Sequence, residues 1–557
     1  MTTRGRFDNL RMATVWTLLA LLVVHLANAV KRNARGRRAT RRRLMSDRHR
    51  WAREGRSEGG RGGKRGGGTT RDLEPRRTVG FYHPASADGG GGERVLYEAI
   101  AATQRRRAAV RGSVGGTAAN GDEGGDEGDD ERGMDDDEDD CMIVVYTASN
   151  GRGRRDVDSL ARGRELIARA ESRFGVKLRE PIHALDLKSE RFARAETYPR
   201  CTVIGQFIGG AVLAFEALWK FTPDVFVDTV GHAAAYPAAR YLFGCQTVAY
   251  VHYPTVSSDM IARVQSRVRM YNNADRFAAS RFLTAVKVLY YRAFAALYGW
   301  CGKACACVMV NSSWTKGHID KLWGVDSTIV YPPCNVEDLS RIPLTRPRLD
   351  KAGNAVKKDK SSLRVVSVGQ FRPEKAHVVQ LAAWKALKKL SPKFPKIENA
   401  ILVFVGGCRD NADRERLEDL QQSVKDLEIE NSVEFHVDVP YEEVRRQLSR
   451  ASVGLHTMLD EHFGICVVEY MAAGAVPIAH ASGGPFLDII RDEADGITGF
   501  TADNVPAFAE ALEHVLLMQR PDREDIAQRA RRRSKMFTAE KFRDAFVDAL
   551  AKCEVKC

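Results

Sequence analysis

Cysteines at metal or disulfide spacings are the first thing missing. The chain has 11 cysteines among 557 residues, scattered rather than paired, and no second pair or histidine completes a zinc set around Cys301, Cys305 and Cys307. Scattered cysteines favour reduced thiols in a cytosolic domain. Also absent is the G-x-G-x-x-G spacing of a dinucleotide-binding turn, which argues against a nicotinamide role for the glycine run at 89–92. The acidic string at 121–140 is too repetitive for a credible Asp-x-Asp metal site. Within the Arg/Gly-rich tract at 31–78, Trp51 is the sole aromatic, so the stacking platform of a single-stranded nucleic-acid binder is lacking.

Long apolar runs are scarce as well, and residues 13–30 stand out for that reason. As a helix they span about 27 Å, close to the hydrocarbon thickness of a bilayer. Arg4, Arg6 and Arg11 precede the run, and a denser set from Lys31 to Arg43 follows it. The heavier positive side stays cytosolic, which puts residues 1–12 in the lumen and the rest of the chain in the cytosol. Ala27-Asn28-Ala29 also fits a signal-peptidase site, but the arginines just behind the run oppose translocation. Two further apolar segments, 206–221 and 282–300, are aromatic-rich without being clean enough to span. They fit either an interfacial helix or a core helix.

The net charge of +14 is unevenly placed. Residues 31–78 hold 18 Lys/Arg against 5 Asp/Glu, and residues 121–140 hold 13 Asp/Glu against one Arg. The first tract reads as a disordered basic arm beside a membrane helix, and 101–140 as a disordered, solvated insertion. Between and beyond them, short apolar strands alternate with helical stretches. Strands are expected at 79–83, 142–146, 203–206, 225–228 and 247–252, with a helix from about Glu93 to Thr103. After Pro332-Pro333 the pattern restarts, with strands at 364–369, 401–405, 433–436, 453–456 and 476–479. Such alternation implies doubly wound α/β domains. The expected units are a Rossmann-like domain at 79–335, a basic linker at 336–362, a second Rossmann-like domain at 363–537, and a C-terminal helix at 538–557 packing back on the first domain.

The most informative stretch is Glu461-His462-Phe463-Gly464-Ile465-Cys466-Val467-Val468-Glu469. If Gly464 opens a helix, its free N–H groups suit a phosphate, Glu461 lies in the preceding loop, and Glu469 lies more than one turn inside. A solvated loop and a buried helix explain the pair alone equally well. The stretch resembles the E-x7-E motif of the retaining family 4 glycosyltransferases, which have the GT-B fold. Phe81-Tyr82-His83-Pro84, Asp88 to Leu96, Tyr250-Val251-His252-Tyr253-Pro254-Thr255, Val310-Asn311-Ser312-Ser313-Trp314-Thr315 and Gly369-Gln370-Phe371-Arg372-Pro373-Glu374-Lys375 narrow the likeness. In this order they resemble the dolichol-linked oligosaccharide α-1,2-mannosyltransferases of the endoplasmic reticulum, over roughly residues 79–550 apart from the insertion.

That resemblance implies an enzyme with two Rossmann-like domains facing a cleft and an N-terminal transmembrane helix. GDP-mannose would be the donor, a dolichol-diphosphate oligosaccharide the acceptor, and the fourth and fifth mannoses the product. It implies that Glu461 meets the donor hexose, that Glu469 holds the ribose, and that His252 lies beside the transferred sugar. Arg372 and Lys375 would neutralise the diphosphate, with Gly91, Gly92, Phe463, Gly464 and Ile465 lining its site. Asp259 either orients the acceptor or holds its loop. No metal and no further cofactor are expected, nor is nucleic acid. The endoplasmic reticulum membrane and other mannosyltransferases of the pathway are the partners that remain. His462 stands where many family 4 members have glycine. The rivals are a family 4 enzyme with another donor or lipid acceptor, a GT-B epimerase, and a membrane-tethered RNA-binding scaffold driven by the basic arm.

Overall fold

The computed structural model describes residues 77–84, 91–114, 141–148, 158–198, 202–256, 281–345, 363–390 and 392–555, with Val30, Thr40, Leu44 and Met260. The expected membrane segment apart from Val30, nearly all of the basic arm, Gly89 and Gly90, the acidic tract from 115 to 140, Asp259 and residues 346–362 lie outside these.

Two parallel sheets carry the fold. The first holds β1 (Thr78–Tyr82), β2 (Met142–Ala148), β3 (Ile182–Leu187), β4 (Val225–Asp228), β5 (Gln246–Val251), β6 (Cys307–Val310) and β7 (Thr328–Ile329), in the order β3-β2-β1-β4-β5-β6-β7. The second holds β8 (Arg364–Val368), β9 (Ile401–Gly406), β10 (Val433–Val437), β11 (Ala451–His456), β12 (Val476–His480) and β13 (Phe500–Ala502), in the order β10-β9-β8-β11-β12-β13. Their strands are runs such as MIVVYTA and ILVFVG, buried along nearly their whole length. Both faces of each sheet are covered by helices, so continuous apolar runs rather than alternation are required. The strand order reverses beside β1 in the first sheet and beside β8 in the second. The loops leaving β1 and β4, and those leaving β8 and β11, therefore open at the two switch points where such sheets take ligands.

One expected strand is wrong. Residues 203–206 fall inside the helix Thr202–Lys220. Gly209 lets that helix lie on the carbonyl of Phe192, where a side-chain carbon would come within 1.6 Å of the oxygen. The apolar residues Leu213, Ala214, Ala217 and Leu218 then repeat at helical spacing into the core. The strand missed nearby is β3, whose His183 and Asp186 break its apolar run. The helix expected to end near Thr103 starts at Gly91 and continues to Val114.

Among the described residues, Thr202–Lys220 is also the one helix long and apolar enough to cross a membrane by length and composition. It has two faces. Leu213 and Leu218 join the first domain's core, while Ile208 and Val212 are exposed. The helix Arg281–Gly302 repeats this, with Phe294 and Tyr298 inside and Leu289 and Trp300 outside.

The domains are tied at three places. Val336 and Leu339 form a short helix that packs into the second domain's core, so the chain is already structured where the linker was expected to begin. Asp488 of the second domain accepts hydrogen bonds from the Ser313 amide at 2.9 Å, the Ser313 hydroxyl at 2.5 Å and the Tyr331 hydroxyl at 2.9 Å. The last helix, Ala539–Lys552, returns to the first domain, burying Phe542, Phe546 and Leu550 with Val95, Leu96 and Ile100.

Candidate active site

The cleft is built from the loops at the two switch points. After β8 the chain turns through Arg372 into a single 3-10 turn, Pro373–Lys375. After β11 it runs through Thr457 to Glu461 and enters the helix Ile465–Ala473. Gly464 makes that entry with φ at 100°, a left-handed conformation that disfavours side chains, and its neighbours would crowd a Cβ from Pro485 at 3.0 Å. Val467 and Val468 donate to the Gly464 carbonyl, and the N–H groups of Ile465 and Cys466 ahead of them have no acceptor within their own helix. The start of this helix meets the first domain through a side chain: a side-chain carbon on Gly91 would stand 2.7 Å from Ile465 Cδ1. Gly91 therefore permits a close approach of the two halves at the mouth of this helix.

Glu461 is nearly buried and sits in a cationic grip. Its Oε2 accepts from Lys375 Nζ at 2.6 Å and from His456 Nε2 at 3.0 Å, and its Oε1 accepts from the His462 amide at 3.1 Å. Burial alone would raise its carboxyl, but the His456 hydrogen bond and the Lys375 charge hold it well below the usual carboxylate range. Lys375 is held above its ordinary value: desolvation opposes its charge and Glu461 outweighs that. Arg372 lies near, its pKa lowered by burial and by Arg409, with its Nε buried and unpartnered. It makes one long ion pair with Glu374 at 3.7 Å. Glu469 is half-buried further along the helix, and burial pushes it up to about 7 against the pull of Arg94 from the first domain.

Across the cleft, His252 follows β5. Its Nε2 lies 2.9 Å from the Thr229 carbonyl, which can only accept, so Nε2 carries the proton and Nδ1 is left as an acceptor. Burial and the neighbouring His462 push its pKa down to about 4, so it is neutral at physiological pH. Gly92 packs beside its ring, where a Cβ would stand 3.5 Å from Nε2. The predicted residues Gly91, Gly92, His252, Arg372, Lys375, Glu461, Gly464, Ile465 and Glu469 thus converge on one cleft. Phe463 does not present its ring there. It is turned inward against Tyr331 and Phe537, so only its backbone can serve the site.

Some residues escaped the sequence reading. His456, at the end of a buried strand, bonds Glu461 but carries no motif of its own. His462 stacks on Tyr253 at 5.1 Å with 17° between rings and meets Trp314 at 5.2 Å, which makes an aromatic clasp between the domains. All three lay within quoted motifs, yet only the fold brings them together. Among the described residues no group of three or more His, Cys, Asp or Glu side chains is arranged to hold a metal ion.

Comparison with known proteins agrees with this arrangement. The family described as "ALG11 mannosyltransferase N-terminus" matches residues 76–120 and 132–323, and "Glycosyl transferases group 1" matches 350–533. The GDP-Man:Man(3)GlcNAc(2)-PP-Dol alpha-1,2-mannosyltransferase of Xenopus tropicalis is 38% identical over 86% of this chain and 87% of its own length. The enzyme of the same name from Homo sapiens is 36% identical, covering 87% and 88%. Among solved structures, a UDP-forming trehalose-phosphate synthase from Burkholderia xenovorans superposes with TM-score 0.56 at 10% identity, covering 86% of this chain and all of that one. A sucrose-phosphate synthase from Thermosynechococcus elongatus gives 0.54 at 16% identity, covering 86% and 99%. These two likenesses fix the fold as GT-B and nothing more. From the length and identity of the curated matches, the chain belongs to the GDP-Man:Man(3)GlcNAc(2)-PP-Dol alpha-1,2-mannosyltransferase family of glycosyltransferases.

Proposed function

We propose that this enzyme transfers mannose from GDP-mannose in α-1,2 linkage to a dolichol-diphosphate oligosaccharide, adding the fourth and fifth mannoses of the N-glycan precursor. One observation carries the reading. Lys375, Glu461 and the open end of the helix Ile465–Ala473 stand together on the second domain, with Gly91 of the first domain in van der Waals reach. A cation and free N–H groups suit a diphosphate, and an ionised carboxylate suits sugar hydroxyls. Glu469, a turn further in, is positioned for the ribose. Work on a dolichol-linked acceptor associates the protein with the endoplasmic reticulum membrane. Residues 13–30 would anchor it as a single span, with the arginine-rich side and both domains in the cytosol.

An α-linked donor and an α-linked product mean retention of configuration. In our reading the acceptor hydroxyl attacks the anomeric carbon from the face that the diphosphate leaves. The bond from that carbon to phosphate oxygen breaks, the new glycosidic bond forms, and the hydroxyl proton passes to the departing phosphate. Arg372, Lys375 and the helix N–H groups stabilise the charge that develops there, without a metal ion. Glu461 is already bound by two cationic partners, which suits an orienting acceptor better than a nucleophile.

The test is transfer of radiolabelled mannose from GDP-mannose to a trimannosyl-chitobiose diphosphate lipid. Wild type should give products one and two mannoses longer, cleaved by α-1,2-mannosidase, with turnover unchanged in EDTA. Glu461→Ala should lose at least about a hundredfold in kcat/KM, the scale of removing one preorganised electrostatic partner. Preference for a UDP-sugar would return the donor to the wider superfamily, and a trapped mannosyl ester on Glu461 would overturn the same-face mechanism.

A further inference from the structure

His456 has no task in that chemistry, yet it is built into the site. It ends β11 and is 2 % exposed. Its Nε2 must donate to Glu461 Oε2, the same oxygen that Lys375 grips, and its Nδ1 stands 3.4 Å from Cys466 Sγ. One carboxylate oxygen therefore has two cationic partners.

The two partners differ in what ties them down. His456 is a short, stiff side chain on a buried strand. Lys375 has a fixed backbone, because the Thr457 hydroxyl donates to the carbonyls of Lys375 at 3.3 Å and Ala376 at 3.1 Å. Its side chain passes against Gly369, and its ammonium contacts Glu461 and Met458 Sδ. The ammonium can swing while its base stays still. A diphosphate carries more charge than a single carboxylate and competes for the same ammonium.

We propose that His456 is a positioning residue that keeps Glu461 ionised and in place when the donor diphosphate draws Lys375 away. The inference rests on the donor-site reading of Lys375 and Glu461. Its charge state fits the role: burial opposes protonation of His456, but Cys466 and Glu461 outweigh that and push it up to about 9. The other groups facing it are His377, held down to about 4, His480, also lowered, and Lys375, raised. His456 is thus the group here whose protonation changes near pH 9.

The experiment measures kcat, donor KM and GDP affinity from pH 6 to 10 for wild type, His456→Gln, His456→Ala, Cys466→Ala and Lys375→Ala. Glutamine keeps a neutral donor and should lower kcat roughly tenfold with donor KM within about twofold, while alanine should lose roughly a hundredfold. Wild-type kcat should fall above about pH 9 towards the glutamine level, since a neutral imidazole and an amide then offer the same bond. Cys466→Ala should move that fall to lower pH, and His456→Gln should lack it. A glutamine variant with wild-type kcat and an unaltered alkaline fall would overturn the proposal. So would a rise in donor KM with kcat untouched. If the histidine variants do not fold, the decision passes to the wild-type fall and its displacement in Cys466→Ala; absence of either overturns it. Lys375→Ala separates the two readings: if it leaves GDP affinity unchanged, the donor-site reading itself fails.

Discussion

The Glu469 carboxyl has no hydrogen bond or ion pair among the described residues, and burial holds it protonated about half the time near pH 7. Two opposite consequences follow. A carboxyl whose folded pKa lies above its unfolded value stabilises the fold fully below the unfolded pKa, and that contribution is lost as pH rises through about 7. A ribose, by contrast, offers two hydroxyl donors that bind the ionised form better. GDP affinity should therefore rise about tenfold between pH 6 and 8, the change in ionised fraction for one such group, while the thermal midpoint of the donor-free protein falls. Calorimetry and melting curves across that range check both. Glu469→Gln should flatten both curves, and a pH-independent GDP affinity in the wild type would remove Glu469 from the ribose site.

At the scale of elements, the last helix shows how a buried pair is retained. Glu98 is almost completely buried on the helix Gly91–Val114 and pairs with Arg543 at 2.8 Å on the helix Ala539–Lys552. Desolvation raises the Glu98 carboxyl, and Arg543 pulls it partly back. Arg543→Met leaves that acid without its partner and should cost about 3 kcal/mol, while adding Glu98→Gln should restore most of it. Urea denaturation of Arg543→Met, Glu98→Gln and the double variant measures this, and additive losses would mean the pair is uncoupled. Elements like these were readable from sequence to different degrees. The β8–Lys375 and β11–Glu469 units were legible because a strand, a glycine turn and a helix follow one another locally. Residues 203–206 were misread because a stretch as short as Val203-Ile204-Gly205-Gln206 looks alike in a strand and in a helix, and the deciding contact, Gly209 on Phe192, is tertiary. His456 was invisible for the same reason: its meaning lies in reaching Glu461 from the end of β11, which no spacing encodes.

At the scale of the molecule, the site exists only while two domains stay paired, since the helix at Gly464 meets Gly91 across the cleft. Asp488 is the principal polar latch: one buried carboxylate serves the Ser313 amide, the Ser313 hydroxyl and the Tyr331 hydroxyl, all from the first domain. Arg533 braces the same turn through the Asp488 carbonyl at 2.6 Å, so the latch is fixed to its own domain. Alanine at 488 removes three bonds to a charged acceptor and leaves the Ser313 and Tyr331 donors unpaired. Each such bond is worth about 1.5–3 kcal/mol, and part of the loss is recovered as water enters. The second domain keeps its own core, so it should not unfold. Instead the domains should separate more readily, with donor KM rising several-fold and faster amide exchange at the start of the helix Ser313–Trp323. Asp488→Asn should fall between, because an amide keeps one acceptor and turns a donor towards the others. If Asp488→Ala melted as one unit at the wild-type temperature with unchanged KM, pairing would rest instead on the aromatic clasp of Tyr253, His462 and Trp314, the short helix Val336–Leu339 and the returning helix.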